Sequence, residues 1–493
     1  MISRQASDVN MLSSITALAA REEFDIAHFN KVRDHCSYIE LNDEQLREIM
    51  QRLEQSFAEG LQNEETAVVK MLPSFIRATS VGKESGEFLA LDLGGSNFRV
   101  LLITLHGDGK KGEMRHVTYG VPQELQQGTG EHLFDHVADC LHNFMVDQRL
   151  SCNKTLPLGF TFSFPCQQRG LASASLVAWT KGFSVSHFQY TFSYKIKNWF
   201  SFQASGVVGK DVVQLLTDAC RRKNIAVNVV ALVNDTVGTM LACSFFDPDC
   251  SIGLIVGTGS NACYMERLQN ITKLNGLVSV NDGLPEEMCI NCELGAFGDD
   301  GKIDKYRTVH DRTLDANVHK SAQTNVREDD LRDVLGAGLL FSGSAVTSSA
   351  IGKQGSFSTR ILSEVERYVL ESEKPLHKIG LLLSDNGIAS PSSTDCAVVA
   401  YVCSMISSRS SNLCAVAMAT ILQRINRKRV AIGVDGSLYK AHPTFKDLLS
   451  TKIEALTGGK YEFKLVLSED GSGRGAAVAA AVAIRLAGAG VKK

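Results

Sequence analysis

The sequence predicts an α/β fold with more than one domain, because three patterns agree. Short apolar runs of strand length alternate with stretches whose apolar residues recur at helical spacing. Two segments, 88–105 and 250–265, share a strand–turn–strand pattern around Gly-Ser-Asn. The 493 residues, 44% of them hydrophobic, are enough to build two cores.

The composition excludes several classes of protein. A formal net charge of −3 gives no electrostatic reason to expect nucleic acid or an anionic membrane as partner. No apolar run approaches the roughly 20 residues that span a bilayer. The 13 cysteines are scattered and odd in number, which favours reduced thiols in a cytoplasmic protein over a disulfide framework. The single CxxC pair, Cys289 and Cys292, has no second pair beside it and is interpreted as packing.

The sequence predicts a helix after Asn42 and Asp43, which form a favourable cap. Its apolar stripe comprises Leu46, Ile49, Met50, Leu53, Phe57 and Leu61.

The recurring Gly-Ser-Asn has two explanations. The first is coincidence, because turns favour these residue types. The whole strand–turn–strand context recurs as well, which favours two related domains that each offer a hairpin tip to one shared cleft.

The stretch VVALVNDTVG, 229–238, is an apolar strand that ends in an amide, a carboxylate and a hydroxyl. Asp235 is therefore a candidate for chemistry at a strand end. The plainer interpretation is that Asp235 caps a helix starting at Thr236, and the two roles are compatible.

Three glycine-bearing turns have a common physical use, since backbone N–H groups without a neighbouring Cβ can crowd onto phosphate oxygens. The alternative is three ordinary hairpin turns. Asp92 and Asp435 favour the phosphate interpretation, because each carboxylate lies beside such a turn and could hold Mg²⁺ through water. The turns are Gly94-Gly95-Ser96-Asn97, Gly257-Thr258-Gly259 and Gly436-Ser437.

Other glycine-rich chemistry is excluded. The segment EDGSGRGAA, 469–477, enters an alanine-rich stretch as a dinucleotide fingerprint would, but the sequence ends before the required βαβ continuation. The sequence contains neither a GxxxxGK[ST] loop nor the motifs of protein kinases.

Two further side chains are candidates for the active site only when they are considered together with the turns above. Lys181 in WTKGF is ordinarily a solvated lysine, but beside phosphate-binding turns it becomes a candidate donor to a transferring phosphoryl group. Glu293 in NCELGAFGD is ordinarily a lone surface carboxylate. Ser163 and Pro165 end the apolar strand of LGFTFSFPC.

Taken together, eight motifs resemble the ordered motif set of the hexokinases, sugar kinases of the actin-like ATPase superfamily. They are LALDLGGSNFRV, LGFTFSFP, WTKGF, VNDTVGTM, IVGTGSNACYM, GAFGD, GVDGSLYKAHP and SEDGSGRGAA. The resemblance runs from about Met71 to Leu486 in the family's order. It implies two actin-like (ribonuclease H-like) α/β domains around a central cleft.

The resemblance also implies a reaction, the transfer of a phosphoryl group from ATP with Mg²⁺ to the 6-hydroxyl of glucose or another hexose. Asp235 would be the general base, and Lys181 and Mg²⁺ would neutralise charge on the moving group. The sugar pocket would contain Ser163, Pro165, Thr180, Lys181, Asn234, Asp235, Asn261 and Glu293. The nucleotide would be held by Asp92, through a magnesium-bound water, and by Gly94, Gly95, Ser96, Asn97, Thr258, Gly259, Gly436 and Ser437.

The expected domains are a helical N-terminal part of the large domain (1–74), a small domain (75–233 with the helix 476–493) and the rest of the large domain (234–475). The expected partners are a hexose and ATP, with no nucleic acid and no transmembrane segment. The residues do not reveal whether the N-terminus meets an organelle surface.

The first departure from the family pattern is the insertion Val185–Gln203 after WTKGF. It has no acidic residue, and four of its aromatic residues alternate at strand period, which outside a sheet is an aggregation hazard. Val-Ser and Phe-Gln at its ends can be encoded by the typical first and last nucleotides of an intron. We therefore hypothesise a translated retained intron, with a partner-binding strand as the alternative.

The second departure is a loss. Residues 315–341 lack the family's Asn-Pro-Gly turn and the helix with a second sugar-binding glutamate, and Glu328 does not match that glutamate. Losing one buried partner of sugar hydroxyls costs on the order of 1–3 kcal/mol of binding. The two departures motivate a rival function, a sugar- or nucleotide-binding sensor or scaffold without useful turnover.

Overall fold

A computed structural model of the chain describes residues 18, 22–95, 97–107, 109–110, 112–150, 155–179, 204–257, 259–274, 276–279, 282–309, 311–312, 357–388 and 390–490. The inserted segment 185–203 and the segment 315–341 lie outside the described residues.

Helices in these ranges occupy both halves of the chain. They are α1 (Ile26–His35), α2 (Asp43–Gln62), α3 (Gln123–Gln126), α4 (Gly130–Asp147), α5 (Val212–Arg222), α6 (Asp235–Phe246), α7 (Thr359–Glu371), α8 (Pro375–Asp385), α9 (Ser393–Ile425), α10 (Ser437–Ala441), α11 (Phe445–Thr457) and α12 (Gly471–Gly490).

The strands form two large sheets and one small hairpin. They are β1 (Leu72–Pro73), β2 (Ser85–Leu93), β3 (Asn97–His106), β4 (Glu113–Gly120), β5 (Leu156–Phe162), β6 (Cys166–Gly170), β7 (Ser173–Leu176), β8 (Val227–Val233), β9 (Cys250–Val256), β10 (Ser260–Arg267), β11 (Glu287–Asn291), β12 (Arg429–Asp435) and β13 (Glu462–Leu467).

The two large sheets repeat one topology. The first has the order β4-β3-β2-β5-β8, and the second has β11-β10-β9-β12-β13 with the short β1 added beside β11. In each sheet the first three strands pair antiparallel and the last two join in parallel. The recurring Gly-Ser-Asn therefore marks the same hairpin, β2–β3 and β9–β10, in two sheets of equal design.

The predicted first helix is present as α2. Asn42 and Gln45 form a reciprocal capping box at its start. The predicted apolar stripe is buried along its whole length, and it packs on the second sheet and on α9. The helical period in the sequence therefore identified the face of α2 that enters the core.

Helices α6 and α12 cross between the two sheets at glycines. A Cβ on Gly475 would lie 2.1 Å from the carbonyl oxygen of Gly238, and a Cβ on Gly159 would lie 1.9 Å from that of Ala476. Backbones approach this closely only where side chains are absent. The glycines of the terminal segment therefore serve helix packing.

The thiols of the CxxC pair lie in the core of the second sheet. Cys289 and Cys292 are both fully buried at β11 and just after it. In the described part of the chain, no helix combines the length and apolar composition that crossing a membrane requires.

A buried polar cluster joins helices α7 and α9 to the link between α10 and α11. Glu366 on α7 accepts a hydrogen bond from Thr444 Oγ1 (2.7 Å) and lies 3.6 Å from His442 Nε2. Ser407 Oγ on α9 lies 3.0 Å from the same nitrogen. Burial raises the pKa of Glu366 to about 7 and lowers the pKa of His442 to about 4. At neutral pH the histidine is therefore uncharged.

These pKa shifts predict a pH-dependent stability. The folded chain holds the Glu366 proton more tightly than the unfolded chain, so this stabilisation is present below pH 4.5 and is lost as pH rises towards 7. His442 contributes stability above pH 6.5 that is lost as pH falls towards 4. Between pH 4.5 and 6.5 the two contributions to stability therefore change in opposite directions as pH rises. Replacing Glu366 by glutamine removes its contribution and leaves the imidazole of His442 in place.

We expect Glu366→Gln to become more stable relative to the parent as pH rises from 5 to 8, by on the order of 1–3 kcal/mol, because it never carries the buried charge. Urea unfolding at both pH values measures the difference. Glu364→Gln, on the same helix and part-exposed, is the control, with no change expected. A parallel shift of Glu366→Gln at both pH values contradicts the assignment.

Candidate active site

Asp235 lies at the junction between β8 and α6. It is the first residue of the helix, and its Oδ1 accepts hydrogen bonds from the backbone N–H (2.8 Å) and the hydroxyl (3.3 Å) of Thr236. The buried strand thus delivers a part-exposed carboxylate to the end of the first sheet.

The predicted capping role of Asp235 is wrong. The N-cap is Asn234, whose side-chain oxygen accepts from the N–H of Thr236 at 2.8 Å. Asn234 has an extended backbone, from which its side-chain oxygen reaches the N–H group of Thr236, so the cap lies one residue earlier than predicted.

A chain of hydrogen bonds links Asp235 to Glu293. The Thr236 hydroxyl donates to Asp235 and accepts from Asn261 Nδ2 at 3.1 Å. Asn261 Nδ2 also donates to Asn291 Oδ1 (2.8 Å), and Asn291 Nδ2 donates to Glu293 Oε1 (2.6 Å). These residues come from α6, β10 and β11, so the chain joins three elements into one polar wall.

Asn261 is the hub of this wall. Besides its two donated bonds, its Oδ1 accepts from the N–H groups of Ala262 (2.8 Å) and Leu294 (3.2 Å). An amide can make four such bonds, so the side chain is fully satisfied and fixed in one orientation.

Glu293 has a left-handed backbone, with φ +58° and ψ 53°. A residue with a Cβ adopts this conformation only when its surroundings hold it there, and such residues cluster at functional sites. Two hydrogen bonds stabilise this conformation: Asn291 Nδ2 donates to the Glu293 carboxylate, and the N–H group of the next residue, Leu294, donates to Asn261 Oδ1.

A pocket lies between the two sheets beside this wall. Its members come from β1 and β11 on one side and from β5, β6 and β8 on the other. They are Leu72, Ser74, Phe162, Phe164, Cys166, Gln168, Leu232, Asn234, Val237, Asn291 and Glu293. Of the predicted sugar residues, Asn234 and Glu293 line it directly, and Asp235 and Asn261 are joined to its lining by the bonds above.

The β5 side of the pocket is aromatic and apolar. Phe164 and Trp179 meet edge to face, with ring centroids 4.8 Å apart. Burial, with added charge from Asp211 and Glu293, raises the pKa of Cys166 to about 12, so this thiol stays protonated. Neutral surroundings of this kind suit the apolar part of a ligand, whereas the opposite wall carries polar groups.

Ser163 and Pro165 lie at the end of β5. Ser163 is buried, donates its N–H to Leu93 O (3.1 Å), and has its hydroxyl beside the position of a Gly94 Cβ. Pro165 accepts from the N–H of Val177 at 2.9 Å. Ser163 therefore links the first glycine turn to the pocket strand, whereas Pro165 fixes the backbone of the β6–β7 hairpin.

The glycine turns differ in their geometry. Apart from their chain neighbours, no atom of the described residues lies within 4 Å of where a Cβ on Gly95 or Gly259 would be, so there is open space beside both glycines. Gly436 has φ +122°, and its Cβ would lie 2.0 Å from Val256 O, so it is required for the approach of β12 to β9. Asn97 begins β3, and Ser437 begins α10.

The two acidic residues beside these turns are ion-paired. Asp435 Oδ1 lies 2.5 Å from Lys440 Nζ. Asp92 Oδ2 accepts from Arg99 Nη2 (2.5 Å) and from Ser472 Oγ (2.8 Å). Arg99 also pairs with Asp470 at 2.6 Å. Burial lowers the pKa of Arg99, but Asp92 and Asp470 outweigh it, so the pKa is raised and the guanidinium stays charged.

Five residues join the site although sequence reasoning did not assign them: Thr236, Asn291, Arg99, Asp470 and Ser472. Each lies in or beside a motif that had been recognised. The missing signal was spatial, because Arg99 and Ser472 are 373 residues apart and meet only in the folded chain.

Four predicted site residues lie outside the described residues, namely Ser96, Thr180, Lys181 and Thr258. Among the described residues, no group of three His, Cys, Asp or Glu side chains could hold a metal ion.

Comparisons with known proteins identify one family along the chain. A sequence model of a family described as hexokinase matches residues 31–192 and 193–245, and a second of the same description matches 251–328 and 331–482. The interruptions fall within the two segments where the chain departs from the family pattern.

Relatives and solved structures are similar over most of the chain. Human hexokinase-2 is 41% identical over 482 residues, 93% of this chain and 48% of that protein. Human hexokinase-1 is 40% identical over 92% of this chain and 48% of that protein. The hexokinase from Schistosoma mansoni complexed with glucose is 36% identical, with a TM-score of 0.77 over 93% of this chain and 100% of the other. The chain spans about half the length of the curated relatives it matches.

The hub role of Asn261 predicts a stability effect. Asn261→Ala leaves Thr236, Asn291 and the N–H of Leu294 without these partners, so the free energy of unfolding should fall by about 1–3 kcal/mol. Urea unfolding measures it. Asn228→Ala, at an exposed position of β8, is the matched control and should change stability by less than about 0.5 kcal/mol. Equal effects of the two substitutions would show that Asn261 is not the hub.

Proposed function

The chain belongs to the hexokinase family, and on that premise we propose that it transfers a phosphoryl group from MgATP to the 6-hydroxyl of glucose or a related hexose. One observation supports this most: a continuous hydrogen-bond chain connects Asp235 with Glu293 beside a pocket between the two sheets. A hexose needs such a wall, because each of its hydroxyls must find a partner once water is removed.

In the proposed reaction Asp235 takes the proton of the 6-hydroxyl as its oxygen attacks the phosphorus. The Thr236 bonds hold the carboxylate in one orientation, which keeps the accepting oxygen in place during proton transfer. Asn234 and Glu293 bind hydroxyls of the ring, and Asn261 belongs to the sugar site as the residue that holds this wall in place, since its own four bonds are internal. Ser163, Pro165, Thr180 and Lys181 complete the sugar site in this proposal, with Lys181 neutralising the transferring group.

The nucleotide is proposed to lie along the glycine turns, with Asp92, Gly94, Gly95, Ser96, Asn97, Thr258, Gly259, Gly436 and Ser437 as its contacts. Asp92 suits a magnesium-bound water, since its contacts to Arg99 and Ser472 both fall on Oδ2 and leave Oδ1 to accept from the water. A site with one carboxylate is adequate because Mg²⁺ is held largely by substrate phosphates. When bound, the ion neutralises charge on the phosphates.

The domain boundaries follow the two sheets in this proposal. Residues 75–233 with the helix from 476 form the small domain, and 1–74 with 234–475 form the large one, so the pocket lies between them. We also place the protein in the cytoplasm, where its scattered thiols stay reduced.

We expect Asp235→Ala to lower kcat by about 10²–10⁴-fold while the hexose still binds, because the base is lost and the rest of the wall remains. A coupled ATP and glucose assay measures kcat, and calorimetry measures binding. Asp218→Ala removes a part-exposed carboxylate on α5, outside the pocket, and should leave both unchanged. Unaltered turnover in Asp235→Ala contradicts the proposed base.

The inserted segment gives a second prediction. If 185–203 is a translated intron beside the phosphate lysine, a version lacking these residues should turn over faster than the chain as given. The same coupled assay compares the two. Absence of turnover in both forms would favour the sugar- or nucleotide-binding rival, and peptides from within 185–203 in purified native protein would overturn the intron hypothesis.

A further inference from the structure

The two walls of the pocket come from segments that are far apart in sequence. Leu72 and Ser74 lie in and just after β1, on the side of the second sheet. Cys166 and Gln168 lie in β6, which follows β5 of the first sheet. Any bond between these two segments therefore joins the walls directly.

Such a bond exists immediately beside the lining residues. Gln167, between Cys166 and Gln168, donates from Nε2 to Glu64 Oε1 at 3.2 Å. Glu64 follows α2 and precedes β1, and its Oε2 forms an ion pair with Lys273 Nζ at 3.0 Å. We call Gln167, Glu64 and Lys273 the bridge.

The Glu64 end of the bridge is rigidly held. Lys273 is only 8% exposed, and its Nζ also donates to the carbonyl oxygens of Lys70 (2.9 Å) and Met71 (2.8 Å). Lys70 in turn donates to the carbonyl oxygens of Glu64 (2.9 Å) and Ala67 (2.7 Å). These bonds fix the loop 64–71, so Glu64 presents a preorganised acceptor.

The Gln167 end is built differently. It lies exposed on a separate two-stranded hairpin, β6–β7, which is not part of either large sheet. A hairpin of this size has little stability of its own and takes its position from its contacts. The contact to Glu64 is one that can form only when the walls are together.

We propose that the bridge is a positioning device that fastens the β6–β7 hairpin to the loop 64–71 and so favours the arrangement of the pocket that binds the hexose. This inference rests on the proposed function. A bond present in only one arrangement shifts the equilibrium towards it, and the apparent affinity for a ligand of that arrangement rises by the same factor. Because the bond is exposed, we expect a modest factor of about three- to tenfold.

The first test is Gln167→Ala. The KM and Kd for glucose should rise about three- to tenfold with kcat unchanged, since saturating hexose restores the binding arrangement. Arg169→Ala, equally exposed two residues along β6, is the control and should change neither constant. An unchanged KM and Kd in Gln167→Ala overturns the proposal.

Two charge changes at position 167 separate the bridge from a general structural effect. Gln167→Glu places a second carboxylate beside that of Glu64 and should raise KM more than the alanine variant. Gln167→Lys keeps a donor towards Glu64 and leaves the Glu64–Lys273 ion pair intact, so its KM should stay within about threefold of the parent. A KM of Gln167→Lys as high as that of Gln167→Glu contradicts the bridge.

A measurement without hexose keeps this proposal distinct from the kinase proposal. Hydrogen–deuterium exchange of the unliganded chain should quicken in 63–71 and 166–176 in Gln167→Ala but not in Arg169→Ala. If the parent chain neither binds nor phosphorylates hexose, the proposed function fails, and the exchange result still decides whether the bridge exists. Equal exchange in parent and Gln167→Ala refutes it.

Discussion

The hydrogen bonds of the Asn261 side chain are the constraint on which the polar wall beside the pocket depends. The Asn261 side chain donates from its NH2 group to Thr236 and Asn291, and its oxygen accepts from the N–H groups of Ala262 and Leu294. Through Thr236 it orients Asp235, and through Asn291 and the Leu294 N–H it holds Glu293 in its left-handed conformation. Because Thr236, Asn261 and Asn291 are hydrogen-bonded in series, the arrangement is fixed as a unit.

The two sheets place that unit where a ligand can reach it. Each sheet ends its hairpin in a glycine turn, and the helices α6 and α12 cross between the sheets at Gly238 and Gly475. The same crossing carries Ser472 to Asp92 and to Thr161 of the first sheet. The glycines of the final segment therefore serve both the helix crossing and the polar contacts beside the first turn.

Much of this fold was predictable from the sequence, since the α2 stripe, the two hairpins and the strand ending at Asn234 all carry a local pattern. Cap placement failed at Asp235, because Asn and Asp are both good caps and only backbone geometry separates them. The partners of the motifs were also missed. The hydrogen bonds of Arg99 to Asp92 and of Gln167 to Glu64 depend on how the chain folds, and no local periodicity in the sequence encodes such contacts.

The central claim is that Asp235 and Glu293 are two ends of one wall that binds a hexose. A crystal structure of the chain with glucose bound tests it most directly. The account predicts the 6-hydroxyl within about 2.6–3.2 Å of the Asp235 carboxylate, with ring hydroxyls bonded to Asn234 and Glu293. Glucose bound elsewhere, or bound between the sheets with its 6-hydroxyl directed away from Asp235, would contradict it.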